Sequence, residues 1–237
     1  GGDRASLAGV DVSSHQGTVD WAKVAADGID FVIIRCGGRY YGSGKVFEDK
    51  QFKSNIRGAL DAGLQVGVYF FSQATNQTEA LEEAQFVLDT IADYPVDGPV
   101  VFDWENIGTD SARTDGMTSA QVTAAANAFC GRIKAAGYQP MIYFNQYIGY
   151  LLYDLDQVTQ YPFWLAEYTD KPTFYYHFEM WQYTSSGSVD GITGKVDRNL
   201  WMPKEAPVRP DRPSQETEPG EDEEAMPPSQ DISREQS

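Results

Sequence analysis

The stretch VVFDWEN, residues 100–106, opens as a buried strand and closes on two acids. Two valines and a phenylalanine suit a segment covered on both faces, and Asp103 and Glu105 then arrive two residues apart around Trp104. An unpaired charge in such a place is costly. Side chains on a strand alternate faces, so Asp103 and Glu105 share one face while Phe102 and Trp104 share the other. With Val100, Phe102 and Trp104 packed against helices, both acids face inward at the strand's C-terminal end, where barrel enzymes keep their active sites. Residues two apart on a strand lie about 6.6 Å from each other, so the two carboxylates interact and one tends to keep its proton.

Outward from this stretch, short β-branched and aromatic runs alternate with helical patterns. The strand candidates are AGVDVSS (8–14), DFVIIRCG (30–37), QVGVYFFS (65–72), PVVFDWE (99–105) and QPMIYFN (139–145). Between them lie WAKVAADG (21–28), QFKSNIRGALDAG (51–63), TEALEEAQFVLDTIAD (78–93) and SAQVTAAANAFCGRIKAAG (119–137). Gly63 and Gly137 read as helix stops, and Thr118 or Ser119 as an N-cap. Repeated βα units imply a parallel sheet. After residue 145 the rhythm breaks: PFWLAEY (162–168), HFEMWQYT (177–184) and KVDRNLW (195–201) are too closely spaced for crossover helices and suit hairpins or irregular loops. Eight strands, five wound with helices and three without, predict a TIM-like α/β barrel. An open doubly wound sheet is the competing arrangement.

Composition bounds the function. Of the 237 residues, 41% are hydrophobic, enough for one sizeable core. Residues 203–237 hold no aromatic side chain, seven of the twelve prolines, and ten acidic against four basic residues. Such a segment is expected to be a disordered linker or tail to a single domain at 8–202. The net charge of −17 leaves no basic patch for phosphates, so nucleic acid is not an expected partner. No apolar run approaches the roughly 20 residues that cross a bilayer, and the opening GGDRASLAG lacks the apolar region of a signal peptide. The chain is still compatible with a mature or trimmed fragment of a secreted protein. Cys36 and Cys130 read as buried free thiols, and His15 and His177 lack metal-ligand spacing, so neither a metal nor another cofactor is expected.

Other acids share the position of the Asp103–Glu105 pair. Asp11 lies at the end of the first strand and Asp197 within the last. The first and last strands of a closed barrel are neighbours, which brings these two together on the rim. Glu167, in FWLAEY, also qualifies by position, although with 35 acidic residues in the chain a lone acid reads first as a solvated surface charge. Tyr69, Tyr143, Trp164 and Trp181 surround the same rim. Carboxylates with aromatics and no metal ligands fit glycoside hydrolysis, in which sugar rings stack on aromatic faces and one protonated acid serves the leaving oxygen.

DVSSHQGTVDW, FDWEN, WLAEY, MWQYTSSG and VDRNLW, in that order and spacing, resemble glycoside hydrolase family 25, the N-acetylmuramidase lysozymes. The resemblance covers about residues 8–202 and implies a (β/α)5β3 barrel that cleaves the β-1,4 bond between N-acetylmuramic acid and N-acetylglucosamine in peptidoglycan, outside the cell or at its wall. It implies Glu105 as general acid and Asp103 as the partner of the substrate's N-acetyl group, with burial holding the proton on Glu105 and the charge on Asp103. Asp11 and Asp197 match the remaining two acids, and Tyr69, Tyr143, Trp164 and Gln182 match positions of the sugar groove. Arg198 departs from the pattern, and its charge is expected to pair with Asp197 or a neighbour. A monomer acting on peptidoglycan strands is the expectation. A noncatalytic wall-binding module and a hydrolase of another N-acetylated glycan, such as chitin, are the alternatives.

Overall fold

The structure, a computed structural model, describes residues 6–109 and 111–204. Its strands are β1 (Leu7–Val12), β2 (Phe31–Arg39), β3 (Val46–Glu48), β4 (Gln65–Ser72), β5 (Val100–Trp104), β6 (Pro140–Asn145), β7 (Phe163–Ala166), β8 (Met180–Gly187) and β9 (Val196–Trp201). Its helices are α1 (Trp21–Ala26), α2 (Phe52–Asp61), α3 (Gln77–Ile91), α4 (Ser119–Ala135) and α5 (Gln146–Leu152). Side chains start several of them: Asp20, Asn76, Thr118 and Asn145 each accept a hydrogen bond from a backbone N–H of the first turn. Gln121 completes a capping box with Thr118. The backbone turns to positive φ at Gly63 and Gly137, just beyond α2 and α4, as expected of helix stops.

Eight strands close into a barrel. The order runs β1-β9-β8-β7-β6-β5-β4-β2, and β1 pairs with β2 to shut the ring, which rules out the open doubly wound sheet. All neighbours are parallel except β9, which runs antiparallel to both β8 and β1. The gap between β7 and β8 is an irregular loop joining parallel strands, whereas β8 and β9 form a true antiparallel pair. Two elements have no counterpart in the sequence reading. β3 is a three-residue strand paired antiparallel to the far end of β2, outside the ring, and α5 is a seven-residue helix that begins directly after β6. The segment from 205 onward lies outside the described residues.

Two apolar layers follow from the period of two. Val100, Phe102 and Trp104 point outward into the large core between strands and helices, together with Phe70, Phe129 and Ile133. Val101 points inward with Phe31, Ile33, Met141, Met180 and Trp201, which fill the barrel's interior. Gly9 on β1 makes room for this packing, because a Cβ there would stand 2.3 Å from the ring of Phe31. The apolar filling stops below the C-terminal strand ends, and polar side chains occupy the level above it.

Candidate active site

The eight residues picked out from the sequence line one cavity of about 90 Å³: Asp11, Tyr69, Asp103, Glu105, Tyr143, Trp164, Gln182 and Asp197. Each comes from an inward position near the upper end of its strand or just beyond it. Register explains the convergence, since Asp11 pairs with Asp197 across β1 and β9, and Asp103 pairs with Tyr143, which in turn pairs with Trp164. Trp164 forms the floor between the interior apolar layer and the cavity, and Tyr143 and Tyr69 meet it edge-on at 4.7 and 6.4 Å between ring centroids.

A hydrogen-bonded chain orients one wall. The Asp11 carboxylate accepts from the Gln182 amide at 2.9 Å and from the Asn199 amide at 2.8 Å. Asn199 in turn accepts from the Trp164 indole at 2.8 Å, and the Gln182 oxygen accepts from the hydroxyls of Tyr143 and Tyr168 at 2.9 and 2.7 Å. Every amide atom in this chain has a defined partner, so neither Gln182 nor Asn199 can turn without breaking bonds. Burial pushes the Asp11 carboxyl well above the usual carboxylate range, and the charge of Asp197 pushes it further. Asp197 is raised too, chiefly by burial, while its hydrogen bond from Asp11 works the other way. The two acids thus share a proton held on the Asp11 side.

The Asp103–Glu105 pair corrects the expected division of burial. Asp103 is 6% exposed, whereas Glu105, one residue past the end of β5, is only half-buried. Burial first, and Glu105's charge second, raise the Asp103 carboxyl well above the usual carboxylate range. Its Oδ1 has no hydrogen-bond partner among the described residues. An unmet buried acceptor at a cavity wall is a place for a ligand's N–H or O–H.

Several supporting residues escaped the sequence reading. Gln73, fully buried, donates to the backbone carbonyl of Glu105 at 2.6 Å, and its own amide oxygen accepts from Thr114 at 3.0 Å. Arg113 donates to the Gln73 carbonyl at 2.6 Å and to both carboxylate oxygens of Glu79. The connection from β5 to α4 is thereby clamped beneath Glu105. Asn199 had a usable signal, two residues after Asp197 on the same face, and Tyr168 closes the PFWLAEY run; Gln73 and Arg113 lie in loops and had none.

Other expectations fall outside the cavity. Glu167 accepts from the backbone and hydroxyl of Thr173, and Trp181 donates to the Glu167 carbonyl, so both brace the loop after β7. Arg198 points to the opposite face from Asp197. It forms no ion pair among the described residues and its Nε has no partner, contrary to the expected pairing. Cys36 and Cys130 are free and buried, as expected. Among the described residues no group of His, Cys, Asp and Glu could hold a metal ion.

Known proteins resemble the chain along most of its length. It is 29% identical over 193 residues to the autolytic lysozyme of Clostridium acetobutylicum, covering 81% of this chain and 54% of that protein. The solved structure of the modular autolysin LytC from Streptococcus pneumoniae superposes with a TM-score of 0.71 at 30% identity, covering 85% of this chain and 48% of that one. The chain thus spans about half the length of these two relatives. A family 25 glycosyl hydrolase from Bacillus anthracis superposes equally well, with a TM-score of 0.71 at 25% identity and coverage of 86% and 93%. The profile of the glycosyl hydrolases family 25 matches residues 10–192, well over half of the sequence, and the chain belongs to that family.

Proposed function

We propose that this protein is a lysozyme that cleaves the β-1,4 bond between N-acetylmuramic acid and N-acetylglucosamine in peptidoglycan, acting outside the cell or at its wall. The observation that supports this most is the Asp103–Glu105 pair: a buried acid with an unmet oxygen beside a half-buried acid at the mouth of one cavity. The relatives' names, a lysozyme and an autolysin, point to the same polymer.

Burial favours a proton on Asp103. When a sugar's 2-acetamido group enters, its N–H donates to Asp103 and favours the anion, and the proton passes to Glu105. Glu105 then protonates the glycosidic oxygen. The acetamido oxygen attacks the anomeric carbon, Asp103 steadies the positive charge that develops on the acetamido nitrogen, and Glu105 returns as base for water. This substrate-assisted route gives retention of configuration. Trp164 and Tyr143 offer ring faces and edges to the sugar, while Gln182 and the Asp11–Asp197 pair stand where hydroxyls can bond. Turbidity loss of a purified wall suspension tests the reading: the wild type clears it and Glu105→Gln does not. Equal clearing by both, or by neither, overturns it.

A further inference from the structure

Glu83 is a buried acid that the cavity does not use. It sits in α3, on the outside of the barrel, with none of its surface exposed, and it is not among the residues that line the acid cavity. Its carboxylate is nonetheless well supplied with donors. One oxygen accepts from the Ser72 hydroxyl at 2.5 Å and the other from the Arg39 guanidinium at 2.8 Å. Burial pushes the Glu83 carboxyl up to about 7, while Ser72, Arg39 and the backbone N–H of Gln73 favour its anion. As a stabiliser a buried ion pair is a weak device, since the cost of desolvation offsets much of the attraction. The donors on Glu83 point instead to position.

Ser72 and Gln73 form the turn by which β4 leaves the barrel, and they join the carboxylate to the site. Ser72 ends β4 and pairs with Trp104, the neighbour of Glu105. With its hydroxyl hydrogen given to Glu83, Ser72 Oγ accepts from the Ala74 N–H at 3.2 Å, which fixes the turn. Gln73, between them, donates its side-chain amide to the Ser72 carbonyl at 2.9 Å and to the Glu105 carbonyl at 2.6 Å. A chain of buried residues thus leads from α3 to the backbone of Glu105. The other charged groups around Glu83 are Arg39 from β2, Glu79 and Glu82 from α3, and Arg113 from the connection between β5 and α4. Arg39 is held by Glu82 at 2.7 Å and Arg113 by Glu79 at 2.7 Å. Glu79 is held down at about 2 and the Glu82 side chain is 64% exposed, so Glu83 is the buried member of the group whose charge changes near neutral pH.

We infer that Glu83 is a positioning residue for Glu105: as an anion it holds the Ser72–Gln73 turn, and through Gln73 the Glu105 backbone, where the reaction needs it, and on taking up a proton it releases that hold. The protonated carboxyl gives up one acceptor and the charge that Arg39 faces, which leaves Ser72 and Gln73 competing for the remaining oxygen. The inference rests on the lysozyme reading, since it concerns the acid that reading places at the glycosidic oxygen.

Glu83→Gln copies the protonated form in shape and charge. The test measures kcat of the wild type and of Glu83→Gln on soluble peptidoglycan fragments from pH 5 to 8.5 and takes their ratio at each pH, so that ionisations common to both cancel. The ratio is expected to be near one at the acid end and to climb through about pH 7 to about tenfold, within what an ångström's misplacement costs, with KM alike in the two proteins. In a Gln73→Ala background the same substitution should change kcat less than about twofold at every pH, because its route to Glu105 is gone. A ratio that stays flat across pH, or the same rise in the Gln73→Ala background, overturns the inference and leaves the lysozyme reading in place. Ser72→Ala removes the middle link independently and decides the matter if Glu83→Gln does not fold. A kcat at pH 8.5 severalfold below wild type with KM unchanged supports the inference, and a wild-type kcat overturns it. A wild type that cleaves no fragment at any pH overturns the lysozyme reading and the inference with it.

Discussion

Asp103 and Glu105 leave the same strand end for different surroundings, and removing each should therefore fail differently. Glu105 is half-buried at the mouth of the cavity, so Glu105→Gln is expected to melt like the wild type while kcat falls by about 10²–10⁴. Asp11 is the contrasting case. An acid whose folded pKa lies above its unfolded one stabilises the fold while protonated, and that contribution is lost as pH rises through the folded value. Burial and Asp197 raise Asp11 in this way. Asp11→Asn keeps an oxygen for Gln182 and Asn199 and turns N–H toward Asp197, so its melting temperature is expected to exceed the wild type's at pH 7 to 8. The gain should vanish near pH 4, and activity should fall at both. Melting curves of the two proteins across that range check it; a variant less stable than wild type at pH 8 contradicts the assignment. At this scale the sequence was legible in its charged and aromatic residues, because a strand's alternation projects them inward two by two. It misassigned the burial within the Asp103–Glu105 pair, because β5 ends at Trp104 and period alone does not say where a strand stops.

The elements around the site depend on polar clamps as well as apolar faces. The connection between β5 and α4 is fastened by Arg113 to Glu79 in the first turn of α3, and the Arg113 guanidinium holds the Glu79 carboxyl down at about 2. A depressed acid contributes stability above its unfolded pKa and loses it as pH falls toward the folded one. Glu79→Gln should accordingly melt below the wild type at pH 7, with the difference closing between about pH 4.5 and 2. Gln73 serves the same connection from below. Gln73→Ala leaves the Glu105 carbonyl and the Thr114 hydroxyl without a buried partner, at a cost of about 1–3 kcal/mol in a denaturant titration. It should also lower kcat more than it raises KM, since what it loosens is the position of Glu105 rather than the sugar's contacts. The long helices were readable from their caps and stops, and the eight ring strands from their β-branched and aromatic runs. β3 and α5 were not, being three and seven residues long. A run that short sets up no period, and its partner, the far end of β2 for β3, is distant in the chain.

As a whole the molecule is an acidic barrel proposed to work on an anionic polymer. Long-range repulsion between the two should slow encounter at low ionic strength. The Debye length falls from about 30 Å at 0.01 M salt to about 8 Å at 0.15 M, so the initial rate of wall clearing is expected to rise over that interval; a steady decline would show that attraction governs the approach. The folded unit is proposed to end with β9, whose strand is followed by Met202 donating to the Glu179 carbonyl at 2.7 Å. A chain ended at residue 204 should keep the melting temperature of the full one. Closure of the barrel was foreseeable from the strand count, but the reversal of β9 was not, since the spacing after β8 permitted a hairpin or a loop equally. The central claim, cleavage at a muramic acid, is tested most directly by mass spectrometry of the fragments released from purified peptidoglycan, after borohydride marks the new reducing ends. Reduced N-acetylmuramic acid is expected at those ends, lost with Glu105→Gln. Reduced N-acetylglucosamine there, or fragments released equally by the variant, would contradict it.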